Sequence, residues 1–340
     1  MLVKPFLSMI LLSGIILVGV GGCDTRFKAE AVLSQYVMDL NRSQFFVIDS
    51  PAIIMPISLP ALRDRQQKLS NFDIGLLEFL SLQQCDVGIV AGKKNSILGK
   101  VMPDSQRFLY ELDIIRAIES CDIDDDALAS ELQLVAEKKR IELPIAFGNA
   151  IFNGEESKEF FSISNGFFPL NDTTENQQEL ISALNRLVDI GERLADLPNI
   201  NGQVFENDLR VLMNSEYAGK LLYSLAQLTN YLSLVSGQVG TLNKEVCGAP
   251  MTYLKQQFDV HYVEKIQPYM GRLNSSAYQV LPLLNRLGEL SSSFSVDMRR
   301  FLKQFSLRDE HSEWLRYQRA SQMHAKQWSA LFKSCSVSLR

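Results

Sequence analysis

Between Leu221 and Val246 the apolar residues Leu221, Leu225, Leu228, Leu232, Val235, Val239, Leu242 and Val246 follow one another at intervals alternating between four and three. That spacing returns to one face of an α-helix and to neither face of a strand, so the segment must bury a long stripe against other helices. Such a stripe also suits the seam of a coiled-coil oligomer. The same chain, however, supplies partners. A second stripe runs through Trp314, Tyr317, Ser321, His324, Trp328, Leu331 and Cys335. Tyr253 to Leu290 lies between them as a return stroke, with kinks expected at Pro268 and Pro282. Gly248 and Pro250 stop the first stripe at Cys247. Up, down and up within one chain makes a helical bundle.

Both stripes close on a cysteine. A bond between Cys247 and Cys335 sets two helix C-termini side by side, which makes those helices parallel. With Cys23 of the five cysteines set aside for the N-terminal anchor, Cys85 and Cys121 remain for a second bond in the first half of the chain. Four cysteines allow three connectivities, and these two pairs are the expected ones. In the chain-entropy account each loop closure stabilises by about 4 kcal/mol. Zinc is disfavoured, because no pair has C-x₂-C spacing and no histidine falls into the pattern.

The first half is less regular. Arg26 to Leu40 carries a helical stripe of Phe27, Val32, Leu33, Tyr36, Val37 and Leu40, and Pro51, Pro56 and Pro60 then break residues 43–60. Helical patterns return over Phe72–Gln84, Pro103–Ser120 and Asp124–Arg140. Residues 141–171, with the run "AFGNAIF", show no period and read as loop or a short hairpin. The expected fold is mostly α: a helical bundle with an irregular middle segment, lipid-anchored at its N-terminus. Its expected parts are a signal over 1–22, an N-terminal helical region with long loops over 23–171, and a C-terminal bundle over 172–340.

The anchor follows from the first residues. Lys4 is the only charge before Asp24, and Phe6 to Val20 is almost wholly apolar. Pro5 to Gly22 is 18 residues with four glycines, at the lower edge of a bilayer span of roughly 20. It reads better as a secretory signal than as a transmembrane helix. Val20-Gly21-Gly22-Cys23 resembles the lipobox of bacterial lipoproteins. The resemblance implies cleavage before Cys23, a diacylglycerol on its thiol and acylation of the new amino group. One acyl chain holds only marginally at about 0.8 kcal/mol per buried methylene, whereas three hold firmly. In the lipoproteins this resembles, an aspartate directly after the lipidated cysteine marks retention at the inner membrane. Asp24 therefore implies the periplasmic face of that membrane, with the outer membrane as the alternative. A compartment of that kind is oxidising, which suits the two disulfides.

Without residues 1–22 the chain has 33 basic and 39 acidic residues, a net charge of −6, and nothing in it suggests a nucleic-acid binder. The charge is uneven. Residues 297–340 hold nine Lys/Arg and four acids, +5 there against −11 over the rest. The excess reads either as a face for anionic lipid or an acidic envelope partner, or as a solvated helix surface.

Catalytic motifs fail in turn. "GKKNSILGK" at Gly92–Lys100 has six residues between its glycines and Val101 after the lysine, so it is no Walker loop. The acidic run from Asp122 has Ala127 where a calcium loop needs glycine and Gln133 where it needs glutamate. Acids opening a helix explain it better. No S-x-x-K, G-x-S-x-G or H-E-x-x-H occurs. His261 and Glu264 share a helix face and read as a surface ion pair; His324, on its stripe, reads as a core histidine. No catalytic residue, metal or cofactor is assigned.

"CDVGIVAGKKNSILGKVMPDSQRFLYELDII", Cys85 to Ile115, is the most distinctive stretch. Asn95-Ser96-x-Leu98-Gly99, Ser105, Tyr110 and Glu111, with Cys121 after, resemble the central segment of an uncharacterised family of Gram-negative bacterial lipoproteins. The resemblance implies no activity. Lys93, Lys94, Asn95, Ser96, Lys100 and Arg107 read as a basic loop tied by the adjacent disulfide, either a surface for an anionic group or a capped turn. The first functional reading is a non-enzymatic envelope lipoprotein that binds or adapts another component. The second is a hydrolase or transferase acting on cell-wall or lipid material through carboxylates.

Overall fold

The computed structural model describes residues 27–71, 82, 85–95, 99–170, 174–291 and 294–337. Cys23, Asp24 and Ser96 lie outside them, as does the helix expected over Phe72–Gln84 apart from Leu82. Asn95 and Lys100 are described in backbone only. The chain is mostly α, and no strand occurs among the described residues. In chain order the helices are α1 (Phe27–Asn41), α2 (Asp86–Asn95), α3 (Asp104–Glu119), α4 (Asp126–Phe152), α5 (Glu155–Phe160), α6 (Thr174–Glu192) and α7 (Gly202–Ser215). There follow α8 (Tyr217–Thr241), α9 (Ala249–Gln257), a π-helical segment (Phe258–Ile266), α10 (Gln267–Leu290), α11 (Val296–Lys303) and α12 (Glu313–Ser334). None of those described is long and apolar enough to cross a membrane.

The up-down-up arrangement is present. Ser276 Oγ donates to Tyr217 Oη at 2.7 Å and Tyr269 Oη to Ser224 Oγ at 3.1 Å, so α10 runs antiparallel to α8. Gln318 meets Asn274 and Trp314 meets Tyr278, so α12 in turn opposes α10. Beyond the parallel ends of α8 and α12, Cys247 is bonded to Cys335; Cys85 is bonded to Cys121. The stripe from Leu221 is not one helix throughout. α8 stops at Thr241, Leu242 is extended and a turn over Lys244–Val246 follows. Val246 is nevertheless buried in the same core as Leu221 and Leu232.

One expectation is corrected by how proline is accommodated. Residues 141–152 are neither loop nor hairpin, because α4 continues through Pro144 to Phe152. Proline removes one helical hydrogen bond, yet Leu143, Ala146, Phe147, Ala150 and Ile151 all pack into the core, which outweighs the loss. Pro268 sits just after the π-helical segment. The wider turns there give its ring the room that an α-helical carbonyl would occupy, while Pro282 stays inside α10. The acids expected to open a helix here do so, and Asp125 caps α4 by accepting from the backbone amides of Ala127 and Leu128.

The boundary expected at 171 does not divide the core. Leu33, Tyr36 and Leu40 of α1 and Phe147 of α4 pack in one cluster with Leu228 and Trp328. A smaller cluster of Val87, Val90, Ile114 and Leu132 lies where α2, α3 and α4 meet, beside the Cys85–Cys121 bond. Among the described residues the buried clusters begin at Ala29, and a chain starting at residue 24 contains all the residues named in them.

Residues 43–71 contain only one short helical turn, Leu62–Arg65, and otherwise cross the bundle as an extended strap. Its backbone has no sister strand, and carboxamide side chains take that part. Asn41, Gln227, Gln304 and Asn149 each accept from one backbone N–H and donate to the C=O of the same residue, at Ile48, Ile54, Ile57 and Gln67 respectively. The donor–acceptor distances run from 2.5 to 3.3 Å. Gln227, Gln304 and Asn149 are buried, where an unpaired amide costs about 1–3 kcal/mol. Clamp and strap therefore need each other.

His324 is fully buried among Tyr36, Phe258, Tyr262 and Trp328. Its Nε2 faces Tyr36 Oη and Trp328 Nε1, each at 3.2 Å; indole N–H only donates, so Nε2 accepts and the ring is neutral. Burial pushes its pKa down to about 3. The unfolded chain takes up this proton near pH 6.5, so stability is complete above that value and falls as pH drops towards 3, by up to about 1.4 kcal/mol per unit. Asp39 acts in the same sense at lower pH: burial raises its carboxyl, but hydrogen bonds from Gln35 and His261 and the charge of Arg42 outweigh this and lower it. Urea melts between pH 4 and 7 should show the loss, and His324→Gln should flatten it. An unchanged slope in that variant would contradict the assignment.

Candidate functional site

Where the strap crosses α3 and α4, its last residues lie above a buried ionic network. Glu111, on α3 and 3 % exposed, accepts from Lys139 Nζ at 2.7 Å and Arg107 Nε at 2.5 Å. Lys139, on α4, is 1 % exposed. Arg107 and Lys139 both reach on to the carbonyl of Ser70, at 3.3 and 3.5 Å. Glu142 holds the same residue from the other side, accepting from Ser70 N at 3.0 Å and Oγ at 2.6 Å. One carboxylate between two cations offsets most of the desolvation that burial imposes. The strap carbonyl satisfies further donors.

Above this network lies a cleft of about 740 Å³ lined by Arg63, Lys68, Lys94, Arg107, Asn71 and Asp104, among others. Lys94 Nζ donates to Asn71 Oδ1 at 3.1 Å, and Lys94 and Arg107 both stand over the Tyr110 ring, at 5.7 and 5.3 Å from its centroid. Asp104 accepts from Gln66 Nε2 and Asn153 Nδ2, each at 3.1 Å. Gly99 closes the wall. A Cβ there would fall on the backbone carbonyls of Lys93 and Lys94, so only glycine lets its turn rest on the end of α2.

Of the six residues read as one basic loop, the structure separates the five it describes. Lys93, Lys94 and Asn95 form the last turn of α2, not a loop, where cations suit the negative end of the helix dipole. Lys94 and Arg107 share the cleft, while Lys93 lines a different depression beside Asp113 and Arg116. Lys100 belongs to the Gly99–Val101 turn. His261 is corrected too. It is buried, and its Nε2 meets Asp39 Oδ2 at 2.8 Å rather than pairing with Glu264 at the surface. Among the described residues no group of three His, Cys, Asp or Glu is placed to hold a metal ion.

Glu111 and Lys139 were not singled out as a pair from sequence. The i,i+4 spacing of Arg107 and Glu111 signals their contact. Lys139 sits in "EKKR", which reads as solvent-facing, and only the packing of α4 on α3 reveals it as buried.

Fold and cleft together define a disulfide-braced, mostly helical protein in which an extended strap borders a basic depression. The chain belongs to the family described as "Protein of unknown function (DUF3080)", whose model matches residues 34–339. That span contains the cleft, the strap and both disulfides, and excludes Cys23. No curated protein and no solved structure matches.

Breaking a buried pair from one side costs about 3–5 kcal/mol, whereas replacing both partners with apolar groups is often neutral. Glu111→Leu should therefore destabilise by that amount, and Glu111→Leu with Lys139→Met should recover most of it in urea melts. A single substitution costing under about 1 kcal/mol would mean the network is not buried as described.

Proposed function

We propose that this protein is a Gram-negative envelope lipoprotein, tethered through Cys23 at the periplasmic face of the inner membrane, that binds an anionic group in the strap-bordered cleft. The observation that carries the binding reading is charge: Arg63, Lys68, Lys94 and Arg107 line the cleft against one acid, Asp104, in a chain of net charge −5. A planar guanidinium and ammonium groups suit phosphate or carboxylate oxygens. The nearby carboxylates already have structural work. Glu111 serves two cations, Glu142 holds Ser70, and Asp104 holds Gln66 and Asn153. This favours binding over carboxylate-driven hydrolysis or transfer, which needs an acid or base within reach of substrate. The address rests on the lipobox-like sequence and Asp24, with the outer membrane as the alternative. A second envelope component bearing the anionic group is the partner this reading expects.

Titration calorimetry on residues 24–340 with inorganic phosphate and with glycerol 3-phosphate tests the cleft and separates free phosphate from a lipid-type headgroup. Saturable binding, weakened at least tenfold by joint Arg63→Ala and Lys68→Ala, is expected; both side chains are exposed, so the fold should not change. Absence of saturable binding, or indifference to those substitutions, would overturn the reading. For the address, Cys23→Ser should abolish acyl labelling in cells and leave a larger precursor. Normal processing of that variant would remove the tether.

A further inference from the structure

Ile53, Ile54, Met55 and Ile57 are 61 %, 46 %, 58 % and 37 % exposed. Four large apolar side chains thus face outward within five consecutive residues of the strap, while Pro56 between them is buried. Single exposed apolar residues are ordinary, but a continuous run of them marks a surface that meets something. Its backbone is also fixed, since Gln227 and Gln304 clamp Ile54 and Ile57 from within. A flexible loop could turn such side chains inward; this one is held with them out.

The neighbouring surface says what it meets. Ile57 shares a depression with Arg300, Lys303, Arg316 and Arg319, against the acids Asp309 and Glu310. These cations belong to the segment 297–340, whose excess of five positive charges contrasts with the acidic remainder. Apolar side chains rimmed by arginine and lysine match an interface of acyl chains beneath anionic headgroups. An acidic protein would satisfy the cations and leave the isoleucines in water.

Orientation agrees. Tyr36 stacks on Tyr262, the Asp39 carbonyl accepts from Tyr253 and the Ser34 hydroxyl meets that of Tyr231 at 3.0 Å, so α1 runs against the helical stretch that leads into α10 and parallel to α8. The strap then returns antiparallel, with Ala52 O on Asn230 and Ile54 on Gln227. The apolar stretch therefore comes back to the level of α1's first turns. α12 is parallel to α8, so Arg316 and Arg319 in its first turns lie towards the same end. Three residues separate Cys23 from Phe27, a reach of at most about 14 Å.

We propose that the strap residues Ile53–Ile57 and the basic cluster of α11 and α12 form a membrane-contact surface that lies on an anionic bilayer. The orientation argument rests on the tether proposed above; the surface itself does not. Co-sedimentation of unacylated residues 24–340 with vesicles tests it without the tether. Vesicles of phosphatidylglycerol and phosphatidylcholine should carry the protein down, and phosphatidylcholine alone should do so at least tenfold less. Ile53→Asp with Met55→Asp should reduce binding at least tenfold with an unchanged melting temperature. Arg300→Glu with Arg319→Glu should do the same and weaken the salt dependence. No sedimentation with the anionic vesicles overturns the proposal. So does binding that survives the strap substitutions, or that is lost instead with Arg63→Ala and Lys68→Ala in the cleft. A concentration-dependent dimer that the strap substitutions abolish, without vesicle binding, would assign the surface to a second copy of the chain. Failure of the Cys23 labelling experiment would leave this result standing.

Discussion

A backbone amide buried without a partner costs more than most single contacts return, and in this protein that constraint governs the path of residues 43–71. The segment has prolines at 51, 56 and 60 that break any long helix, and its one helical turn is Leu62–Arg65. It crosses a bundle with no described strand beside which it could pair. Asn41, Gln227, Gln304 and Asn149 supply the missing hydrogen bonds, donor and acceptor both, from four different places on the helical framework. Each clamp sets which side chains of the strap face in and which face out. The two surfaces discussed above both follow. The middle of the strap presents Ile53, Ile54, Met55 and Ile57 to solvent, and its C-terminal end borders the cleft over the Glu111 network.

The two surfaces share positive charge but differ in rigidity and chemistry. The cleft is built over a network in which Arg107 and Lys139 are held by the same carboxylate and the same carbonyl, so its floor is pre-organised. The strap face combines apolar side chains with long, exposed cations on α11 and α12. A tethered protein resting on a bilayer by one face would leave the cleft to a component of the periplasm or of the same membrane. The Cys85–Cys121 bond braces the end of the cleft formed by α2 and α3, and Cys247–Cys335 braces the opposite run of α8 and α12.

What could be read from the sequence was periodic or local. The stripes through Leu221 and Trp314 repeat often enough to define faces, and the acidic run from Asp122 marks the opening of α4. The continuation of α4 through Pro144 could not be read, because local propensity argues against it and only tertiary burial of Leu143 to Phe152 argues for it. Gln227 and Gln304 look like polar residues of ordinary helices; nothing local distinguishes a solvated glutamine from a clamp. His261 misled and Lys139 gave no signal for the same reason, since their partners Asp39 and Glu111 lie 222 and 28 residues away in sequence. For the cleft, Lys94 and Arg107 were legible as basic residues near a disulfide, whereas Arg63 and Lys68 arrive through the path of the strap.

Backbone hydrogen exchange on residues 24–340 tests the clamp account most directly. The amides of Ile48, Ile54, Ile57 and Gln67 should exchange at least a hundredfold more slowly than an unstructured peptide. Gln304→Leu should release Ile57 while leaving Ile48 and the amides of α8 protected. Exchange of all four strap amides at the unstructured rate, with α8 still protected, would show that the carboxamides do not hold the strap, and the two surfaces built on it would lose their footing.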